Sequence, residues 1–163
     1  MEERRKGSGE TLGFVEPVRC VALEITPVDD PEWSDKDIQK LCADGLFDPA
    51  EAKARTLLRK LPFDFHYKYV CAMAEGEREF RHKVTDWEFG ALFWKCWQNH
   101  GPNGWENSFR DRVEREFIES RKLLFLMGTM HLYPNRWLIV GVVYPPKPQP
   151  APALQQLDLG LGL

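Results

Sequence analysis

With 163 residues, 43% of them hydrophobic and 12% aromatic, the chain has enough apolar material for the core of one domain, without help from disulfides or metals. A formal charge of −3 and a pI of about 5.8 exclude a protein that coats nucleic acid through bulk positive charge, leaving only a local basic patch for such contact. No apolar run approaches the ~20 residues that span a bilayer, and residues 1–10 lack the apolar centre of a signal peptide, so a cytoplasmic protein with no membrane contact is expected.

Residues 1–13 (MEERRKGSGETLG) read as a disordered lead-in, because charge and glycine offer little to bury. Residues 18–25 (VRCVALEI) are rich in strand-forming side chains and stop before Pro27. Ser34 and Asp37 form a capping-box pattern that opens a short helix ending at Gly45. Asp48 followed by Pro49 starts a second helix, which stops before Pro62.

Residues 63–73 (FDFHYKYVCAM) alternate with a period of two, and a turn at 75–77 leads into 79–85 (EFRHKVT), so the pair is expected to be an antiparallel hairpin. Asp86 is placed to cap a helix over 87–99, whose apolar residues nearly circle its axis. After the His100-Gly101-Pro102 break, Asn103 caps another helix in which Trp105, Phe109, Val113 and Phe117 recur every four residues. The opposite face, charged from Arg110 to Glu116, reads as solvated. Residues 123–130 and 137–144 flank a turn at 133–136 and are nearly continuous apolar runs, as expected of central strands covered on both faces. The expected fold is a single α+β domain over 14–144, an antiparallel sheet with helices packed on it, in the order β-α-α-β-β-α-α-β-β.

From Pro145 the composition changes abruptly. Residues 145–153 (PPKPQPAPA) favour an extended polyproline conformation and read as a linker in a disordered tail. Residues 154–163 (LQQLDLGLGL) then place leucines on a tether, which is anomalous unless they meet a partner. Gln156, Leu157, Asp158, Leu159, Gly160 and Leu161 spell Q-L-D-L-G-L, which resembles the hexapeptide form of the bacterial sliding-clamp-binding motif, Q-L-x-L-x-L. The resemblance implies that Gln156 anchors the peptide at a pocket rim and that Leu157, Leu159 and Leu161 fill successive apolar sites, with Asp158 where that family often has a small or acidic residue. The final Gly162-Leu163 departs from variants that end in phenylalanine. On this basis the partner is the sliding clamp of a bacterial DNA polymerase, with DNA or a nucleoprotein complex nearby.

The one cluster in the body with catalytic chemistry is His82, Asp86 and Glu88 at a strand-to-helix junction, with Asp64 and His66 on the neighbouring strand. Carboxylates and imidazoles there could hold a divalent metal for phosphodiester hydrolysis. A restriction-type nuclease core, however, pairs an acid on one strand with E-x-K on the next, and this chain has Glu79-Phe80-Arg81. The plain structural reading makes Asp86 an N-cap and Glu88 a partner of the helix dipole. Phe63, Phe65, Tyr67 and Tyr69 alternate with His66 and Lys68, so Tyr67 and Lys68 are the candidates for stacking on and binding nucleic acid, against a reading as plain core. Trp87, Trp94, Trp97 and Trp105 are helix-spaced and read as packing residues. The four cysteines, Cys20, Cys42, Cys71 and Cys96, form no CxxC pair and are expected to be free thiols. The leading expectation is a non-enzymatic accessory protein of bacterial, phage or plasmid DNA replication or repair with no cofactor. The alternatives are a metal-dependent nuclease recruited the same way and an adaptor subunit of a nucleoprotein assembly.

Overall fold

The computed structural model describes residues 11–37, 39, 59–119, 121–130 and 132–147. Six strands, β1 (Leu12–Val15), β2 (Arg19–Pro27), β3 (Phe63–Met73), β4 (Gly76–Val84), β5 (Leu124–Met130) and β6 (Tyr133–Val143), form one sheet in the order β1-β5-β6-β4-β3-β2. Two consecutive helices, α1 (Trp87–Arg110) and α2 (Asp111–Glu119), supply the other half of the core, which makes the chain α+β.

The two edge strands are consecutive in the chain. Only Glu16, Pro17 and Val18 join β1 to β2, and such a link spans at most about 14 Å. The sheet must therefore roll until its edges nearly meet, and the Val18 amide donates to the carbonyl of Val70 at 2.8 Å just after the bend. Ring contacts show the same curvature, because β3 and β5 stand three places apart yet Tyr69 and Phe125 approach to 4.9 Å between centroids. In a flat sheet those strands would be about 14 Å apart.

The rolled sheet consists of two antiparallel units, β2-β3-β4 and β1-β5-β6. They meet at one parallel pair, Val84 with Ile139, beside which the Thr85 amide donates to the Ile139 carbonyl at 2.8 Å. The sheet is therefore mixed rather than wholly antiparallel as expected.

The concave face presents Phe65, Tyr67, Tyr69, Val84, Phe125, Met127 and Ile139 to Phe89, Phe93, Trp105, Phe109, Val113 and Phe117 of the helices, and none of these is more than 5% exposed. Edge-to-face pairs such as Phe93 with Trp105 (4.7 Å, 77°) and Phe89 with Phe109 (5.1 Å, 86°) run through this layer. Each such pair adds about 0.5–1.5 kcal/mol beyond the area it buries.

The first helix begins where the sequence places it, whereas Asn103, expected to cap a second one, lies inside α1 just past its break. Asp86 accepts from the Glu88 amide at 2.8 Å as N-cap of α1. The break falls at Gly101, whose φ of 69° and ψ of −178° are open essentially to glycine alone, followed by Pro102, which has no amide to donate. After Arg110 the turn widens to a π-helix. Residues spaced by four drift about 40° per step around an α-helix, and the wider turn offsets that drift, so Trp105, Phe109, Val113 and Phe117 all remain buried.

Four expectations change. β1 starts at Leu12, inside the expected disordered lead, because its four residues pair with β5 at the edge. The turn between β5 and β6 falls earlier than 133–136, since Tyr133 already opens β6. The described helices cover only one face of β5 and β6, not both. Trp87 is 72% exposed and is not a packing residue. Residues 35–37 and 39 are helical, and the Ser34 hydroxyl accepts from the Asp37 amide at 3.2 Å as the capping box requires. The expected helix over 48–61 and the tail from 148 onward lie outside the described residues, apart from residues 59–61.

Candidate functional site

The structure separates the residues of the expected catalytic cluster. His82 lies on β4, where its Nδ1 is 2.9 Å from the Tyr69 hydroxyl, and it lines a groove beside β4 with Phe80 and Trp137. Asp86 and Glu88 line a different recess, with Phe89, Arg112, Phe117 and Tyr144. Both Asp86 oxygens are engaged, Oδ1 with the Glu88 amide and Oδ2 with the Val142 amide at 2.7 Å. Among the described residues no three His, Cys, Asp or Glu side chains are grouped to hold a metal ion.

Asp64 and Glu79 do not converge either. Phe65 is opposite Val84 and Val70 is opposite Glu79, so the two acids sit near opposite ends of the hairpin. Asp64 pairs instead with Lys83 at 2.6 Å.

The nucleic-acid candidates divide between the two faces of β3. Tyr67 is fully buried and its hydroxyl donates to the Val113 carbonyl at 2.9 Å, so its ring cannot stack on a base. Lys68 faces outward and pairs with Glu24 at 2.7 Å, and Glu24 also takes Arg81 at 2.6 Å. Hydrogen bonds from Lys68 and then Arg81 hold the Glu24 carboxyl down at about 2. With Asp64–Lys83 and, at the hairpin end, Arg19–Glu77 at 2.7 Å, this outer face of β2-β3-β4 is a lattice of mutually neutralised charges. Cys20, Cys71 and Cys96 are free thiols, and burial, then Cys71, pushes the Cys20 thiol up to about 12. Cys42 lies outside the described residues.

The C-terminal exit is more organised than the composition implies. Tyr144 stacks on Phe117 with centroids 3.9 Å apart and ring planes 15° apart. The Lys122 amide donates to the Pro145 carbonyl at 3.0 Å, Pro146 bridges to Arg121, and the Lys147 ammonium donates to the Glu119 carbonyl. Contacts with the domain thus continue through Lys147, beyond the expected boundary at 144. A cleft opens beside this exit, lined by Arg19, Arg121, Lys122 and Lys147, with Glu16 taking Lys122 at 2.9 Å. Gln156, Leu157, Asp158, Leu159 and Leu161 lie outside the described residues.

Two features escaped the sequence reading. Arg110 and Glu114 on the helices bond to the backbone of β2: the Leu23 amide donates to Glu114 at 2.9 Å and Arg110 donates to the Leu23 carbonyl at 2.9 Å. Their spacing of four was visible, but their target was not. The other is the outer face of β1, β5 and β6, where Leu12 and Phe14 are 62% and 68% exposed. Its signal was the unbroken apolar character of both long strands, which two-sided burial by helices does not explain.

No helix among the described residues is long and apolar enough to cross a membrane. No curated protein and no solved structure matches the chain. A family model does match, over residues 1–159, and the chain therefore belongs to the family described as a domain of unknown function, DUF8757.

Proposed function

We propose that this chain is a non-enzymatic accessory protein of bacterial, phage or plasmid DNA replication or repair, which docks on the sliding clamp through Gln156–Leu161. The observation that carries the reading is the Q-L-D-L-G-L sequence, placed behind a Pro-rich connector. Its chemistry suits peptide capture: the glutamine amide both donates and accepts at a pocket rim, and leucines at every second position enter apolar sites from one side of an extended chain. The exit geometry supports it, because Lys147, the last described residue, is bonded to the domain and eight residues separate it from Gln156. At ~3.1 Å per residue for an extended Pro-rich segment, the peptide can stand about 25 Å from the domain.

The arrangement of the body favours binding over catalysis. Asp86 is committed to the helix cap and to the β6 backbone, and His82 faces Tyr69 in a separate groove. A peptide of residues 150–163 is expected to bind a bacterial sliding clamp in the micromolar range typical of short segments that order on binding. The same peptide carrying Gln156→Ala and Leu159→Ala is expected not to bind. Equal heats from both peptides in titration calorimetry, or none from the native one, would remove the reading.

A further inference from the structure

The cleft beside the C-terminal exit differs in charge from the lattice on β2-β3-β4. Its volume of about 600 Å³ lies within the usual range for a small-molecule site. Four cations line it, Arg19, Arg121, Lys122 and Lys147, against one carboxylate, Glu16. Pro17, Val18, Ile118 and Leu123 make an apolar wall between them. These groups come from three places in the chain: the bend between β1 and β2, the link from α2 to β5, and the exit after β6. Backbone pairing fixes the last two against each other, since the Lys122 amide donates to the Pro145 carbonyl at 3.0 Å and Arg121 bridges to Pro146. Main-chain contacts thus gather Arg121, Lys122 and Lys147 before any ligand arrives, which lowers the cost of ordering them around one.

Their charges are only partly met. Arg19 has Glu77 at 2.7 Å, a residue outside the cleft lining. Lys122 has Glu16 at 2.9 Å, and with both side chains about half exposed this pair contributes little and exchanges readily. Arg121 reaches Glu116 only at 4.0 Å, and Glu116 is already taken by Arg112. The Lys147 ammonium donates to the Glu119 carbonyl and has no carboxylate partner among the described residues.

We propose that this cleft binds the phosphate group of a phosphate ester, with Arg121 and Lys147 as its first partners and Lys122 joining them as Glu16 is displaced. A guanidinium fork meets two phosphate oxygens at once, and an ammonium adds a point charge. A phosphate monoester presents up to two negative charges and three acceptor oxygens, which suits several converging cations better than a single carboxylate does. The apolar wall of Pro17, Val18, Ile118 and Leu123 then faces the organic part of the ester. In a chain of net charge −3 such binding is confined to this local patch. A free nucleotide and a nucleic-acid backbone both present the group, and the test separates them. The site belongs to the folded body and does not depend on the clamp reading.

The test titrates the full chain by calorimetry, without added metal, with adenosine triphosphate, with a short single-stranded oligothymidylate, and with adenosine as the phosphate-free control. At least one phosphate probe is expected to bind and adenosine is not, with affinity falling as salt rises from about 50 to 200 mM. Tighter binding of the oligonucleotide assigns the site to a nucleic-acid backbone, tighter binding of the triphosphate to a free nucleotide, and equal affinities to the phosphate group alone. Arg121→Gln combined with Lys147→Gln is expected to weaken binding about tenfold or more. Arg115→Gln, which removes an exposed cation of α2 outside the cleft, is expected to leave it unchanged. Glu16→Gln is expected to raise affinity several-fold, because the carboxylate that competes for Lys122 is gone; a merely structural role for that pair would give no such gain. Should the double variant lose the native circular dichroism spectrum, Lys122→Gln is read in its place, with a several-fold loss expected. No heat from either phosphate probe, adenosine bound as tightly as the triphosphate, or full affinity retained without the Arg121 and Lys147 charges overturns the proposal. So does a loss in Arg115→Gln equal to that of the double variant, which would reduce the effect to general charge.

Discussion

Asp86 shows why a carboxylate at a strand-to-helix junction invites two readings. A metal-binding acid and a capping acid occupy the same place in sequence, and only the partners of the two oxygens distinguish them. Here one oxygen accepts from the Glu88 amide and the other from the Val142 amide, tying the start of α1 to β6. An ordinary cap is worth ~1 kcal/mol and a hydrogen bond to a charged group ~1.5–3 kcal/mol, so Asp86→Ala is expected to cost about 2–3 kcal/mol in urea denaturation. Asp86→Asn should cost less, because one amide oxygen remains as an acceptor. A catalytic acid with no structural duty would give the opposite result, unchanged or increased stability on its removal. Glu24 governs the acid limb in a similar way. Its folded pKa of about 2 lies below the ordinary 4.5, so its contribution is complete above 4.5 and is lost as the pH falls towards 2. Denaturation measured across that window should show a shallower loss in Glu24→Gln than in the native chain. His66 works in the same direction at higher pH, since burial, then Arg81, lowers its pKa and protonation below about 6.5 opposes folding.

At the scale of elements, β2 is an edge strand whose outward backbone groups need partners. α1 and α2 supply them through Arg110 and Glu114, which engage the Leu23 carbonyl and amide as a neighbouring strand would, and which pair with each other at 3.2 Å. Glu114→Ala leaves the Leu23 amide without its acceptor and Arg110 without this counter-charge, a loss expected to cost about 1–3 kcal/mol by chemical denaturation. Glu116→Ala, which removes solvent-accessible pairs with Arg112 and Arg121 and no backbone partner, should cost under about 1 kcal/mol. Equal effects would show that the contact with β2 contributes nothing special. The contrast also marks what the sequence could reveal. The β3-β4 hairpin, the Asp86 cap, the Gly101 break and the Trp105-to-Phe117 stripe are local patterns, readable from spacing and residue type. β1, the parallel seam and the grip of Arg110 and Glu114 on β2 depend on segments brought together from 55 or more positions apart, or on a strand too short to announce itself. The exposed outer face was recorded in the apolar runs of β5 and β6, yet such runs carry no information about which of their two sides is covered.

For the molecule as a whole, the weak point of the sheet is the seam where its two antiparallel units share the single pair Val84 and Ile139. Backbone bonds alone would let the units open separately, so the coupling must come from side chains that cross the seam beneath the sheet. Phe125 is the principal one: it extends from β5, is fully buried, and lies within 4.9 Å of Tyr69 and 5.3 Å of Tyr67 on β3. Phe93 is equally buried, but its ring partners all belong to the helices and β3. Truncating either ring to alanine is expected to cost about 3–5 kcal/mol. The two should nevertheless differ in cooperativity. Phe93→Ala leaves the contact across the seam in place, so amides of β3-β4 and of β5-β6 should exchange hydrogen with one shared opening free energy, as in the native chain. Phe125→Ala removes that contact, and the β5-β6 amides should open at lower free energy than those of β3-β4. A uniform loss of protection in both variants would mean that the helices alone hold the two units together, and that the aromatic bridge from β5 to β3 is packing without a coupling role.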